Sequence, residues 1–213
     1  MSIVIEDNNE PLVDLRDLGK IAYSPVGERP GNLQYTKVRA GVFELMVAAQ
    51  KLLPDGLNLC LCEGYRSLDD QAYYFAKRYE LMQTLHPSWS HEQLYLESTK
   101  MVAPVTNLDG TPCIAPHSTG GAIDVILVDV SGQVVDMGIH PFHCLSEKDN
   151  SIAESNSKLI SKKAQYFRHV MATALSRVGF VNYPLEYWHW SYGEQDWAIE
   201  VKNLKAIYGP IKE

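Results

Sequence analysis

The chain has 213 residues, 46% of them hydrophobic and 21% charged, which is an ordinary globular mix and excludes a disordered segment. With 19 Lys and Arg against 26 Asp and Glu, the formal charge is -7, which argues against the concentrated basic surface that a grip on nucleic acid needs. No run of about 18 apolar residues is present to span a membrane.

The N-terminus, Met1 to Glu10, carries acids where a signal peptide would carry a basic stretch and an apolar core. The four cysteines, Cys60, Cys62, Cys113 and Cys144, do not read as a disulfide framework. A cytoplasmic location is therefore expected. No repeat or linker divides the chain, so a single domain over 1–213 is expected, with 1–35 as an irregular arm packed on it.

Within that arm, residues 21–23 suggest a strand. Apolar positions Val42, Leu45, Met46, Ala49, Leu52 and Leu53 recur at helical spacing and predict a helix over 38–53, stopped by Pro54-Asp-Gly56. Residues 57–62 form a short apolar run bounded by glycine, hence a buried strand. Ser67 is placed as the N-cap of a second helix, with Asp70 completing a variant capping box. Ser88 or Ser90 caps a third helical piece running to about Met101, and a loop covers 104–121. A strongly apolar strand over 122–130 follows, turned by Ser131-Gly132 into a further strand over 133–137. After a polar stretch over 146–157, a helix over 158–178 stops at Gly179, and strands over 180–183 and 187–192 close the chain. Without a βαβ rhythm, the order predicts an α+β fold: a small, mostly antiparallel sheet flanked by helices.

Asp124 interrupts the apolar strand over 122–130 and should be desolvated there, so it needs a cation, a set of donors or a metal. His117 lies in the loop feeding this strand, and Gly120-Gly121 permits the tight path that brings its ring back toward Asp124. The two supply ligands suited to zinc or a related transition metal; a structural His–Asp pair explains this stretch equally well. The segment Pro184-Leu-Glu-Tyr-Trp-His189 decides between them. Alternation along a strand puts Glu186 and His189 on opposite faces, so Glu186 must sit on a turn if both are to reach one site. His117, Asp124 and His189 then make three protein ligands with a fourth position open, and Glu186 is the candidate general base. Arg66, at the end of the strand over 57–62, is placed to reach the cleft and stabilise an oxyanion or bind a carboxylate.

The three elements Glu63-Gly-Tyr-Arg66, His117-Ser-Thr-Gly-Gly-Ala-Ile-Asp124 and Glu186-Tyr-Trp-His189 resemble the ordered signatures of VanX-type D-alanyl-D-alanine dipeptidases. These belong to a wider superfamily of zinc D-Ala-D-Ala metallopeptidases that includes peptidoglycan carboxypeptidases. The resemblance spans about residues 55–197. It implies one zinc ion per chain, held at the sheet by His117, Asp124 and His189. Glu186 would activate water and pass its proton to the leaving amine, and Arg66 would polarise the scissile carbonyl. The implied reaction is hydrolysis of the free dipeptide D-Ala-D-Ala in a small, closed pocket.

Two positions depart from the family pattern. Ala115, followed by Pro116, stands where Ser is frequent, and His143 in Met137-Gly-Ile-His-Pro-Phe-His143 stands where Asp is usual, with the family's following Ser-His missing from 146–150. Both concern the substrate end of the pocket and leave the metal set untouched. His140, His143 and Cys144 are read as exposed or locally bonded rather than as a second metal site. His86, His91 and His169 receive no role, and Tyr35 and Tyr65 are not placed. The nearest alternative is a D,D- or L,D-carboxypeptidase acting on peptidoglycan stem peptides, disfavoured by the lack of a signal peptide or wall-binding module. An alternative of another class is a catalytically inactive zinc-containing binding protein, which would need neither Glu186 nor Arg66.

Overall fold

Residues 3–27, 29, 31–144 and 150–211 are described by a computed structural model. In chain order the elements are β1 (Val4–Ile5), β2 (Leu12–Asp14), α1 (Leu15–Leu18), β3 (Ala22–Tyr23), β4 (Lys37–Arg39), α2 (Ala40–Gln50), β5 (Leu57–Glu63), α3 (Leu68–Leu85) and α4 (His91–Ser98). They continue with β6 (Ala122–Asp129), α5 (Pro141–Cys144), α6 (Lys162–Arg177), β7 (Val181–Asn182), β8 (His189–Ser191), α7 (Gln195–Glu200) and β9 (Lys205–Ala206).

The main sheet has the order β3-β5-β6-β8-β7. Its β5–β6, β6–β8 and β7–β8 pairs are antiparallel and only β3–β5 is parallel, so the expected α+β class with a mostly antiparallel sheet is what forms. The central strand β6 is buried at every residue from Ala122 to Val128, on both parities of the pleat. Both faces are therefore covered, which is why its sequence shows no polar alternation. Helices α2 and α6 pack on each other, and α2 also meets β5 while α6 meets β6.

Local signals set several boundaries. Ser67 Oγ accepts from the Asp70 amide at 3.1 Å and opens α3. The Asp70 carboxylate takes the Ser67 hydroxyl and Asn32 instead of reaching back to the cap amide. The reciprocal capping box belongs to α4, where Ser90 and Gln93 exchange side-chain and backbone bonds of 2.8 and 3.2 Å. Ser90, not Ser88, is the cap.

Other boundaries move. The helix expected from residue 38 starts at Ala40, because Lys37–Arg39 pair with Leu12–Asp14 as a two-stranded antiparallel ladder. Val38 is fully buried in the strand, and hydrophobic period alone does not separate a buried strand residue from a buried helix residue. The helix expected from residue 158 begins at Lys162, where Ser161 Oγ caps the Ala164 amide at 2.9 Å. Instead of a strand over 133–137 there is a single bridge from Val134 to Val128 after the Ser131-Gly132 turn. The terminal strands shorten to β7 and β8. The N-terminal arm is also more regular than expected: β1 pairs in parallel with β9, β2 with β4, and β3 joins the main sheet.

Arg39 explains how that arm is held. Its guanidinium, 2% exposed, donates to the carbonyls of Glu10, Thr119 and Gly209 at 2.6, 2.8 and 3.0 Å and pairs with Asp7 at 3.1 Å. One buried cation thus joins the arm, the C-terminal segment and the loop that carries His117. Among the described residues, no helix is long and apolar enough to cross a membrane.

Candidate metal centre

Strand register brings the site together. Asp124 on β6 is directly opposite Glu63 on β5 and His189 on β8, so three side chains from three adjacent strands stand in a row on one face. His117 comes from a 3-10 turn, Pro116–Thr119, that ends at Gly120 with φ 70°, the left-handed conformation glycine adopts without strain. That reversal sends the chain into β6 and leaves the His117 ring beside Asp124.

Among the described residues, His117, Asp124 and His189 are the group whose ligand atoms can share one cation, all lying within 4.8 Å of one another. His117 Nε2 is 3.4 Å and His189 Nδ1 3.0 Å from the same oxygen, Asp124 Oδ1. The imidazole rings meet edge to face with centroids 4.9 Å apart. All three residues are buried, so the purely structural His–Asp pair considered from the sequence is part of a larger cluster.

The electrostatics of this cluster suit a divalent cation. Burial pushes the Asp124 carboxyl up, but His117 and His189 outweigh it and hold the group well below the usual carboxylate range. Burial holds His117 below its ordinary value against the pull of Asp124. For His189, burial pushes down while the Asp124 hydrogen bond and charge, with Glu186 and Glu194, raise the ring above its ordinary value. The field that favours a proton there equally favours a metal, whose binding would release that proton. His117 Nδ1 donates to the Gly64 carbonyl at 2.8 Å, which fixes the neutral tautomer and turns the Nε2 lone pair toward Asp124.

Gly64 links the first motif to the second. Its amide donates to Tyr35 O at 2.7 Å, its carbonyl takes His117, and the Arg66 amide donates to His117 O at 3.2 Å. A Cβ on Gly64 would lie 2.3 Å from Lys37 O and 2.9 Å from Tyr35 O, both backbone atoms. Gly64→Ala is therefore expected to lower stability by about 1–3 kcal/mol through overpacking. It should also weaken metal binding by displacing the His117 partner. Thermal unfolding with a metal titration checks both, and an unchanged unfolding midpoint would refute the close approach.

Arg66 sits in a cradle. Its Nε is 3.5 Å from Glu63 Oε1, Nη1 is 3.4 Å from Gln71 Oε1, and the guanidinium carbon lies 4.4 Å above the Tyr74 ring. Burial pushes Glu63 up to about 7, opposed by Arg66 and assisted by Asp124. Gln71 in turn donates to Ala103 O at 2.6 Å. Sequence reading did not find Gln71 or Tyr74. The available signal was polar residues on the buried face of α3, where Asp70, Gln71 and Arg78 all point inward.

Glu186 lies on a turn, as the spacing required. Its amide donates to Tyr183 O at 3.0 Å and its carbonyl accepts from the His189 amide at 3.1 Å, so two consecutive turns lead into β8. Asn182 Nδ2 clamps this path by donating to Glu186 O at 3.1 Å and His189 O at 2.9 Å. Nothing in the linear pattern marked Asn182 for that position.

His117, Asp124, His189, Glu186 and Arg66 all line one cleft of about 400 Å³, toward the lower end of ordinary ligand pockets. Pro116, Phe142 and Cys144 also line it, so the segment before residue 145 does shape the cleft, through Phe142 rather than His143. Residues 146–149 of the departing segment lie outside the described residues. Three of the other histidines find partners away from the cluster: His140 Nδ1 accepts from the Phe142 amide, His86 stacks on Trp89, and His91 meets the Tyr79 hydroxyl. Tyr35 is buried with its hydroxyl on Ser24 O, away from the cleft lining.

Residues 36–207 match the peptidase family described as D-ala-D-ala dipeptidase. A D-alanyl-D-alanine dipeptidase from Synechocystis sp. is 29% identical over 241 residues, which cover 100% of this chain and 96% of the relative. Among solved structures, VanYB in complex with D-Alanine-D-Alanine has 17% identity and a TM-score of 0.43, covering 78% of this chain and 76% of that one. A vancomycin resistance D,D-pentapeptidase VanY in complex with Zn(II) has 16% identity and a TM-score of 0.44, covering 78% of each.

Proposed function

The chain belongs to the D-ala-D-ala dipeptidase family, and from that premise we propose that it hydrolyses the free dipeptide D-Ala-D-Ala to two molecules of D-alanine in a zinc-dependent reaction. The observation that carries this reading is the convergence of His117, Asp124 and His189 at the floor of a cleft that Glu186 and Arg66 also line. Two imidazoles and one carboxylate are a donor set that zinc favours, and three protein ligands leave a position open for chemistry.

When bound, zinc supplies Lewis-acid polarisation and makes water more acidic. The residues of the chain do the rest. Glu186 accepts a proton from the attacking water and delivers it to the departing amine nitrogen, so that one water is consumed per peptide bond broken. Arg66 donates to the carbonyl oxygen as negative charge develops there. Because Glu63, Gln71 and the Tyr74 ring already hold its guanidinium, little reorganisation is needed at that moment. The covered sheet face and apolar lining residues such as Met101, Val102 and Phe142 keep bulk water from weakening these interactions.

The test is D-alanine release from D-Ala-D-Ala by purified protein, before and after a chelator and with zinc restored. Release lost to the chelator and recovered with zinc is expected. A zinc-loaded sample that releases D-alanine only from longer D-Ala-terminated peptides would replace the dipeptidase reading with the carboxypeptidase one.

A further inference from the structure

The turn that carries Glu186 is backed by a strip of chain from another part of the sequence. Residues 152–155 lie along it and turn their polar groups alternately to two sides. On one side, the Tyr187 amide donates to Ala153 O at 3.0 Å and the Ser155 amide donates to Pro184 O at 2.9 Å. On the other, the Ile152 and Glu154 carbonyls accept from the Arg168 guanidinium of α6 at 3.0 and 2.7 Å. Arg168 is buried, bonds Met137 O at 2.8 Å as well, and places its guanidinium carbon 3.8 Å from the centre of the Tyr187 ring. One buried cation thus fixes the strip and packs on the residue next to Glu186.

The strip meets the turn a third time through side chains. Ser155 Oγ donates to Asn182 Oδ1. The amide nitrogen of Asn182 then faces Glu186 O at 3.1 Å and His189 O at 2.9 Å. A primary amide has two N–H donors, and here each has one carbonyl. Turned over, the amide would set its oxygen against both carbonyls, and the Ser155 hydroxyl opposes that flip. Asn182 lines the cleft, yet both of its donors are committed to the backbone of the candidate base and of a candidate ligand.

We propose that Asn182, oriented by Ser155, is a positioning residue for the general base: by holding the Glu186 and His189 carbonyls together it sets where the Glu186 carboxylate stands over the cation site. This rests on the reading of Glu186 as the base. A base works only within about 2.6–3.2 Å of the proton it takes, and a misplacement of about 1 Å costs on the order of 100-fold in rate. The turnover rate is therefore the quantity that responds, rather than substrate or zinc binding.

The experiment measures kcat, KM and zinc content with D-Ala-D-Ala for the wild type, Asn182→Ala, Asn182→Asp and Ser155→Ala, each also combined with Glu186→Gln. Asn182→Ala is expected to lower kcat about 10- to 100-fold with KM and zinc content near the wild-type values. Asn182→Asp keeps the size and loses both donors, so it should lose as much. Ser155→Ala should lose less, because the amide nitrogen still reaches the carbonyls. In the Glu186→Gln background the same substitutions should cost little more, since residues that act as a unit are not additive. An equal fold-loss in both backgrounds overturns the proposal, as does a wild-type kcat in Asn182→Asp. If the Asn182 variants fail to fold or lose zinc, Ser155→Ala decides by the same two comparisons. A zinc-loaded wild type that does not hydrolyse the dipeptide, or a Glu186→Gln variant that loses no rate, would instead overturn the underlying reading, a distinguishable failure.

Discussion

Replacing Glu186 by Gln is expected to lower kcat for D-Ala-D-Ala by about 100- to 10,000-fold while bound zinc stays at the wild-type level. The substitution keeps the side-chain shape and removes only the ability to take up and return a proton. The backbone path should survive it, because the turn is held through main-chain bonds and by Asn182 on the Glu186 and His189 carbonyls. Turnover and metal content should be measured on the same preparation. A parallel loss of zinc would make Glu186 a ligand rather than a base, and undiminished turnover would place the base elsewhere.

His117→Ala and His189→Ala are each expected to abolish stoichiometric zinc binding, whereas Arg66→Ala retains the metal and loses about 100- to 1,000-fold in rate. Each histidine contributes a donor within 4.8 Å of the other two ligand atoms, and removing one leaves two. Three protein ligands are the usual minimum of a catalytic zinc site. The drop should therefore exceed the roughly 10- to 100-fold that loss of an outer-shell partner costs. Competition against a chelator of known affinity provides the number, and full occupancy in either histidine variant would refute the ligand assignment. Arg66 touches Glu63, Gln71 and Tyr74 but belongs to no ligand pair, which is why its removal should separate rate from metal.

Features set by neighbours a few residues apart were legible before the fold was known. Ser67 caps a helix through the amide three residues on, whereas the helix expected from residue 158 begins only after Ser161, which caps it in the same way. Gly120 turns the chain into β6, and the length and apolar density of that strand announce burial on both faces. Features set by pairing partners were not. Lys37–Arg39 reads as the first turn of a helix until β2 lies beside it, and the expected 133–137 strand reduces to the Val134–Val128 bridge, with Asp129 N on Gln133 O and Val135 N on Leu127 O.

The same division runs through the site. By itself the sequence singled out the side chains proposed to carry the chemistry: a carboxylate in an apolar strand demands a partner, and Glu186 and His189 can share a site only if Glu186 sits on a turn. Those demands follow from desolvation and strand alternation, which act along a few residues of chain. Only the tertiary structure decided that Glu63, Asp124 and His189 share one row of the sheet, that Gly64 orients the His117 ring, and that Gln71 and Tyr74 hold Arg66. It alone joined Tyr183 to Lys100, 83 positions apart. Register and contacts between distant segments depend on how the sheet and helices pack, and no local pattern of residue types encodes a distance between segments that meet only after folding.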